Sequence, residues 1–168
     1  MKITQIAIYV PNQKKASDAM RQIFGRSIHK YNDDMMMRGY FNGKEFPPID
    51  LPLSLVFFHG IIDDVEIEYI KSNDEKHWHY NKIAADPNQP FLSHLGIYCD
   101  DEEFYHWNTY LEDSGFKKLQ NSMSYNHTNK RAGDGESSSR NYHDIIFYTE
   151  KAIGFNIKLT RRVNNAGL

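Results

Sequence analysis

Two stretches of the chain repeat the same order of residue types. TQIAIYVPN (4–12) and SHLGIYCDD (93–101) both run from polar residues through an alternating strand with a shared Ile-Tyr pair into a turn. A helical pattern follows each stretch, and Gly25 and Gly115 end the two helices. A repeat of this length indicates two copies of one supersecondary unit, neither of which buries its apolar face well alone.

The helix after each repeated stretch carries apolar residues on one side. Its start is marked as well, because Asn12 precedes the first helix and Asp100 or Asp101 precedes the second, and such residues favour the N-cap position. The apolar stripes are Ala16, Ala19, Met20, Ile23 and Phe24 in the first helix and Phe104, Trp107 and Leu111 in the second.

Three further strand patterns follow each helix, so each half predicts a βαβββ module. The predicted strands cover residues 34–42, 52–59 and 65–71 in the first half and 117–127, 141–149 and 155–163 in the second. The modules are residues 1–71 and 91–163, joined by a polar linker (72–90) and followed by a tail (164–168). We expect them to form one structural domain. The alternative is two unrelated α+β stretches that resemble each other by chance.

Composition excludes several classes of protein. Of the 168 residues, 20 are basic and 22 acidic, and a net charge of -2 creates no field that favours nucleic acid or an anionic membrane. The single cysteine, Cys99, allows neither a disulfide framework nor a thiolate zinc site. The first apolar run is too short and too alternating for a signal peptide, and no segment has transmembrane length. We therefore expect a cytoplasmic protein that binds neither nucleic acid nor membrane.

Polar side chains recur at matching positions in both modules. Side chains alternate between the two faces of a strand, so Gln5 and His94 are equivalent and point away from the helices. The last strands of the modules, VEIEYIKS (65–72) and FNIKLTRR (155–162), align in the same way. The polar residues that take the four pseudo-symmetric positions of one concave face are Gln5, Glu68, His94 and Lys158.

This order of elements, with these four positions, resembles the vicinal oxygen chelate superfamily, which includes glyoxalase I, methylmalonyl-CoA epimerase, bleomycin-resistance proteins and extradiol dioxygenases. The resemblance covers roughly residues 1–163. It implies an α+β fold in which two βαβββ modules form a curled mixed sheet around a cleft. It also implies a divalent metal held by Gln5, Glu68 and His94. Lys158 departs from the pattern, since the family's usual residue there is Glu.

Lys158 leaves two arrangements open. In the first, Gln5, Glu68 and His94 form a three-ligand open site for Fe, Mn, Ni or Zn. In the second, no metal binds, because an ammonium cannot ligate a cation and repels one nearby. Lys158 would then take the place of the metal, form a salt bridge with Glu68, and leave a cleft that binds ligands without a cofactor.

The functional hypotheses follow from these arrangements. The resemblance implies a metal-dependent lyase, isomerase or dioxygenase of the glyoxalase type, in which the ion stabilises an enolate or oxyanion of a small molecule. Alternatively, Glu68 moves the proton while Lys158 stabilises negative charge on the substrate, and both are then catalytic. The rival class is metal-free binding or sequestration of a small molecule, as in bleomycin-resistance proteins.

Three residues are candidates for ligand contact. Tyr9 and Tyr98 share the cleft face with the four polar residues, so their rings are predicted to stack on a planar or sugar-like ligand. His143 lies in a predicted strand, and strand parity leaves it open whether His143 or its neighbours Tyr142 and Asp144 point into the cleft.

Two expectations concern the surface. His77 and His79 lie in the polar linker, and we expect them to be exposed, although their spacing would also suit metal or substrate contacts. Family members of this size commonly pair as homodimers, and a sheet with open edge strands would give a physical reason for pairing.

Overall fold

The structure of the chain is a computed structural model. It describes residues 2–25, 29–41, 49–71, 75, 77–79, 82, 85–125 and 141–163. The predicted tail, 164–168, lies outside these ranges.

Both modules have the predicted βαβββ order. The first contains β1 (Ile3–Tyr9), α1 (Gln13–Phe24), β2 (His29–Phe41), β3 (Ile49–Ile62) and β4 (Val65–Lys71). The second contains β5 (Phe91–Tyr98), α2 (Asp101–Asp113), β6 (Lys118–Tyr125), β7 (Asn141–Phe147), the short helix α3 (Glu150–Ile153) and β8 (Asn156–Val163).

Several strands differ in length from the prediction. β2 begins at His29 rather than at residue 34, and β3 runs from Ile49 to Ile62 rather than over 52–59, so that Pro52 lies inside β3, opposite Met36. Among the described residues the pairing of β3 with β4 begins at Ser54, so Pro52 interrupts no hydrogen bond of that pairing. The strand predicted over residues 141–149 ends at Phe147, and α3, which is too short for a periodic pattern, follows it.

The strands form one curled mixed sheet in the order β1-β4-β3-β2-β6-β7-β8-β5, and β5 pairs with β1 to close the ring. The first and last strands of each module run parallel, whereas β1 and β5 join the modules antiparallel. The predicted fold is therefore confirmed. Each of these eight strands has a neighbour on both sides, so the open edges that gave a reason for a homodimer are not found among them. The homodimer itself stays a prediction.

The two helices cover the outside of the sheet, each over its own apolar cluster. The buried residues of these clusters are Val10, Val56, Phe58, Ile67 and Tyr69 under α1, and Ile97, Cys99, Phe104, Ile145, Phe147 and Leu159 at α2. Ala16 and Met20 of the predicted stripe pack against the first cluster. Ile23 and Phe24 do not, because the last turn of α1 leaves them 73% and 47% exposed.

Both helices begin at predicted N-caps. The Asn12 side chain accepts a hydrogen bond from the Lys15 backbone N–H at 2.9 Å. Of the two candidates for α2, Asp100 is the cap, and it forms a capping box with Glu103. Asp100 Oδ1 accepts from the Glu103 N–H at 2.8 Å, while the Glu103 carboxylate accepts from the Asp100 N–H at 3.4 Å.

Removal of this cap is expected to destabilise the protein. Asp100→Ala leaves backbone N–H groups of α2 without an acceptor, and we expect the free energy of unfolding to fall by about 1 kcal/mol. Asp113→Ala at the other end of α2 is the control, because a carboxylate at a helix C-terminus opposes the helix dipole. Urea denaturation followed by circular dichroism measures both variants, and equal losses would contradict the capping role.

Candidate functional site

Four polar side chains from β1, β4, β5 and β8 meet inside the barrel. His94 Nε2 lies 3.3 Å from Gln5 Oε1 and 3.5 Å from Glu68 Oε2. Lys158 Nζ donates a hydrogen bond to the same Gln5 oxygen at 3.1 Å. The structure thus brings together all four residues that the repeat puts at equivalent positions.

The register of β1 against β5 creates this meeting point. Gln5 pairs with Gly96, and Ala7 pairs with His94, so each large side chain lies across from a small residue. A Cβ added at Gly96 would lie 2.9 Å from the Gln5 Cβ, closer than real contacts allow. The space at Gly96 is therefore filled by the Gln5 side chain, and Gly96 is required for Gln5 to reach the centre.

Glu68 is a buried carboxylate whose charged form is disfavoured. Burial raises its pKa from the ordinary 4.5 to about 7, opposed by Lys158 and assisted by the negative charges of Glu66 and Asp144. Among the described residues, Glu68 Oε2 has no hydrogen-bond partner, and His94 Nε2 approaches it only to 3.5 Å. Near neutral pH this carboxyl group can therefore either take up or release a proton.

His94 is neutral. Burial lowers its pKa well below the ordinary value, and the positive charge of Lys158 and the nearby His77 lower it further. Its ring nitrogens have different neighbours, since Nδ1 lies 2.9 Å from Ser93 Oγ while Nε2 faces Gln5 and Glu68.

Lys158 stays charged. Burial alone would lower its pKa, but nearby carboxylates outweigh burial and hold the pKa above its ordinary value; they belong to Asp144, Glu68 and Glu66. The ion pair of Lys158 is with Asp144, whose Oδ1 lies 3.5 Å from Nζ and also accepts from Thr160 Oγ1 at 2.7 Å. The predicted salt bridge between Lys158 and Glu68 is therefore replaced by one with Asp144.

This set of donors does not fit a divalent metal. Gln5 Oε1, one of the three proposed ligand atoms, already accepts a hydrogen bond from the Lys158 ammonium. A second cation beside that charge would be repelled in a buried site. The Lys158 ammonium fits this position instead, held by Gln5 Oε1 and Asp144 Oδ1.

The three predicted ligand contacts lie in three different places. Tyr9 is buried at one end of the barrel, where its ring stacks on Phe91 with centroids 4.9 Å apart. Tyr98 is 47% exposed at the other end, opposite Thr160. His143 is on the helix side of β7, against the Phe104 ring and 2.8 Å from Asn121 Oδ1, so the cleft position predicted for it belongs to Asp144.

The linker contributes residues that the sequence interpretation missed. His77 and His79, expected to be exposed, are 2% and 1% exposed. His79 Nε2 lies 2.7 Å from Ser93 Oγ of β5, and Trp78 Nε1 donates to Gln120 Oε1 of β6 at 3.2 Å. Residues 77–79 of the linker therefore cover the barrel end that contains Tyr9. The tryptophan in this polar linker was the signal that could have predicted burial here, because tryptophan side chains are highly buried on average.

Comparison with known proteins identifies the fold. No family model matches the sequence, and no curated protein matches it either. Among solved structures, a methylmalonyl-CoA epimerase aligns with a TM-score of 0.55 and 13% identity over 96% of this chain and 95% of that one. The fold is that of the vicinal oxygen chelate superfamily.

Two further matches agree with that fold. A methylmalonyl-CoA epimerase from Mycobacterium tuberculosis has a TM-score of 0.54 and 12% identity over 96% of this chain and 88% of that one. A single-residue variant of the Streptomyces coelicolor methylmalonyl-CoA epimerase, in complex with 2-nitronate-propionyl-CoA, has a TM-score of 0.55 and 11% identity over 98% of this chain and 99% of that one. At such low identity the likeness concerns the fold alone. In the described ranges, no helix is long and apolar enough to span a membrane.

The raised pKa of Glu68 predicts a pH-dependent difference between wild type and Glu68→Gln. A folded pKa of about 7 against an unfolded one near 4.5 means that the stability contributed by protonated Glu68 is present below about pH 4.5 and is lost as the pH rises through 7. The side chain in Glu68→Gln stays neutral at every pH. The free energy of unfolding of this variant, relative to that of wild type, should therefore increase between pH 5 and 8, by about 3 kcal/mol at most.

Urea denaturation at pH 5, 6, 7 and 8 measures this difference. Glu102→Gln is the control, because Glu102 is an exposed carboxylate at the start of α2. A difference between Glu68→Gln and wild type that stays constant over this range would refute the raised pKa of Glu68.

The second prediction concerns metal content. Wild-type protein purified without an affinity tag and then exposed to Fe, Mn, Ni or Zn should retain no stoichiometric metal. Lys158→Glu should retain it, because the repelling ammonium would be replaced by a carboxylate that can itself bind a metal ion. Plasma mass spectrometry gives the metal content. Stoichiometric metal in wild type that disappears in His94→Ala would restore the three-ligand site.

Proposed function

We propose that this protein is an isomerase-type enzyme that moves a proton on a small carbonyl compound, with Glu68 as the proton-transferring group and Lys158 in place of a metal. The observation that carries this proposal is the buried Glu68 carboxyl group, with a pKa of about 7 and an oxygen that has no hydrogen-bond partner among the described residues. Three of the structural neighbours, all methylmalonyl-CoA epimerases, support the isomerase class, although their likeness extends only to the fold.

Glu68 has the properties that general acid–base catalysis requires. A pKa close to the working pH lets one group accept a proton from carbon and return it, and such catalysis typically contributes about 10²- to 10⁴-fold in rate. Burial keeps water from competing for the proton and raises the basicity of the carboxylate. The reaction needs no net consumption of acid or base, because the proton that leaves the substrate is returned to it.

Lys158 would stabilise the negative charge that develops on the substrate oxygen. Its ammonium is held by Gln5 Oε1 at 3.1 Å and Asp144 Oδ1 at 3.5 Å, so it does not have to reorganise when charge appears. A fixed charge in a site with little water is worth more than the same charge in solvent. Lys158 can thus supply the electrostatic stabilisation that a metal ion gives in other members of this fold class.

Gln5 keeps the ammonium in place because its own amide cannot rotate freely. Its Nε2 donates to Glu66 Oε1 at 2.7 Å, and this bond turns Oε1 towards Lys158 and His94. Glu66 is in turn 3.2 Å from His59 Nε2. This chain of contacts fixes which atom of Gln5 faces the centre of the barrel.

The lining of the barrel indicates the chemistry of the substrate. On the β3 side the interior is apolar, with Ala7, Leu55, Phe57 and Ile70 buried together. On the opposite side it is polar, with Lys158, Asp144 and Thr160 joined by hydrogen bonds and an ion pair. A small molecule with an apolar branch on one side of an acidic C–H and a carbonyl group on the other would match both surfaces.

Exchange of carbon-bound hydrogen for deuterium tests this function directly. In D₂O the wild-type protein should catalyse exchange at the carbon next to the carbonyl group, with methylmalonyl-CoA as the first substrate and simpler carbonyl acids after it. Glu68→Gln should lose at least about 100-fold of the rate, and Lys158→Met should lose a similar factor because the oxyanion is no longer stabilised. Mass spectrometry of the recovered substrate gives the rates.

The controls separate this function from a metal-dependent one. Glu102→Gln should exchange at the wild-type rate, since Glu102 is exposed on α2. Addition of chelator should leave the wild-type rate unchanged. Full activity in Glu68→Gln would refute the role of Glu68, and loss of activity with chelator would refute the role of Lys158.

A second candidate, sequestration of a small molecule without chemistry, is favoured by Tyr98. Its ring is 47% exposed at the end of the barrel opposite to Tyr9, where it can stack on a planar ligand. Tight binding without deuterium exchange, weakened by Tyr98→Ala and unaffected by Glu68→Gln, would support this candidate over the enzyme.

A further inference from the structure

A continuous chain of three buried side chains leads from Glu68 to the linker. His94 Nδ1 lies 2.9 Å from Ser93 Oγ, and Ser93 Oγ lies 2.7 Å from His79 Nε2. None of the three residues is more than 2% exposed. We propose that Ser93 and His79 are positioning residues that keep the hydrogen of His94 on Nε2, directed at Glu68 and Gln5. This inference rests on the proposed function of Glu68 and adds two residues to its machinery.

Ser93 can take part because β5 is irregular at this point. In a regular strand the neighbours Ser93 and His94 would point to opposite faces. The β1–β5 register shifts between the pair Ala7–His94 and the pair Ile8–Leu92, which leaves Ser93 as the extra residue of a bulge. Both side chains are thereby buried, and the serine hydroxyl lies between the two imidazole rings.

The single hydroxyl hydrogen of Ser93 couples the tautomer of His94 to that of His79. Both histidines are neutral, since burial lowers the pKa of each one well below its ordinary value. A neutral imidazole has one N–H and one bare nitrogen. The serine hydroxyl can donate to only one ring, so for both contacts to be hydrogen bonds the other ring must donate to the serine. The chain therefore runs in one of two directions.

The oxygens beyond His94 select the direction. His94 Nε2 faces Gln5 Oε1 and Glu68 Oε2, which both accept hydrogen bonds when Glu68 is ionised. The hydrogen must then be on Nε2, and Nδ1 must accept from Ser93. His79 must in turn donate from its Nε2 to the serine oxygen.

The surroundings of His79, at the other end of these three hydrogen-bonded side chains, agree with this direction. Among the described residues, His79 Nδ1 is buried and has no hydrogen-bond partner. In the direction we infer, this nitrogen is a bare acceptor. The reverse direction would leave an N–H group buried there without an acceptor, and unpaired buried N–H groups are the rarer case in proteins. It would also turn the bare nitrogen of His94 towards two oxygens that repel it.

The inferred direction makes His94 point its Nε2–H group at the Glu68 carboxylate. At 3.5 Å the Nε2–H of His94 is too far for a strong hydrogen bond to Glu68, but it presents positive charge to that oxygen. Catalytic hydrogen bonds are often long without substrate and shorten in the reacting complex. Ser93 Oγ lies between His79 and His94 rather than at Glu68, so both residues act through His94.

Nitrogen-15 NMR of the histidine rings tests the proposal in the resting protein. At pH 8, where Glu68 is ionised, the hydrogen of His94 and the hydrogen of His79 in wild type should both be on Nε2. In Ser93→Ala the Nδ1 signal of His94 should move towards that of a nitrogen without a hydrogen bond. Ser17→Ala is the control, because Ser17 lies on α1 and its buried hydroxyl has no partner among the described residues.

Variants of His79 add a rescue test. His79→Gln keeps a side-chain N–H that can donate to Ser93 and should preserve the His94 spectrum, whereas His79→Leu should perturb it. A wild-type hydrogen on Nδ1 of either ring would overturn the proposal, as would an unchanged His94 signal in Ser93→Ala. The wild-type spectrum decides the direction even if a variant fails to fold.

The activity measurement separates the two proposals from each other. Ser93→Ala should lower the rate of deuterium exchange about tenfold and leave KM nearly unchanged, because the positioning effect is of the size of one lost hydrogen bond. The NMR result stands without a substrate, so it can fail while Glu68→Gln still abolishes exchange. If exchange survives in Glu68→Gln instead, the proposed function fails while the spectrum can still show the inferred direction.

Discussion

The antiparallel pairing of β1 with β5 is the contact on which the rest of the structure depends. It joins the two modules, and its register places Gln5 across from Gly96 and Ala7 across from His94. The parallel partners of these strands then bring Glu68 and Lys158 to the same level of the barrel, because Glu68 pairs with Ala7 and Lys158 with Gly96. A shift of β1 by one residue would turn its inward side chains, Gln5 among them, to the outer face.

Much of this arrangement was predictable from the sequence, because a repeat carries three-dimensional information. Equivalent residues in two copies of one module occupy equivalent places, so the alignment of the first and last strands predicted the four central residues. Strand alternation predicted which side chains face the helices. Capping chemistry predicted the helix starts, with Asp100 rather than Asp101 decided only by the structure.

The rest could not be predicted because it depends on relations that a repeat does not contain. The sequence left open which residues of β7 point into the barrel. Only the pairing of β7 with β8 shows that Asp144 faces Lys158. Ser93 enters the interior through a bulge, which breaks the alternation on which the prediction relied. The linker has no counterpart in the repeat, so nothing in the sequence placed His79 beside Ser93.

The buried linker also gives the barrel a direction. Two identical modules related by a twofold axis would form a barrel whose two ends are the same, and a ligand could enter from either one. In this chain one end contains Tyr9 beneath the linker, and the other contains the exposed Tyr98. The segment that connects the duplicated halves thus makes the two ends of the barrel different. It allows the equivalent positions in the two halves to acquire different tasks.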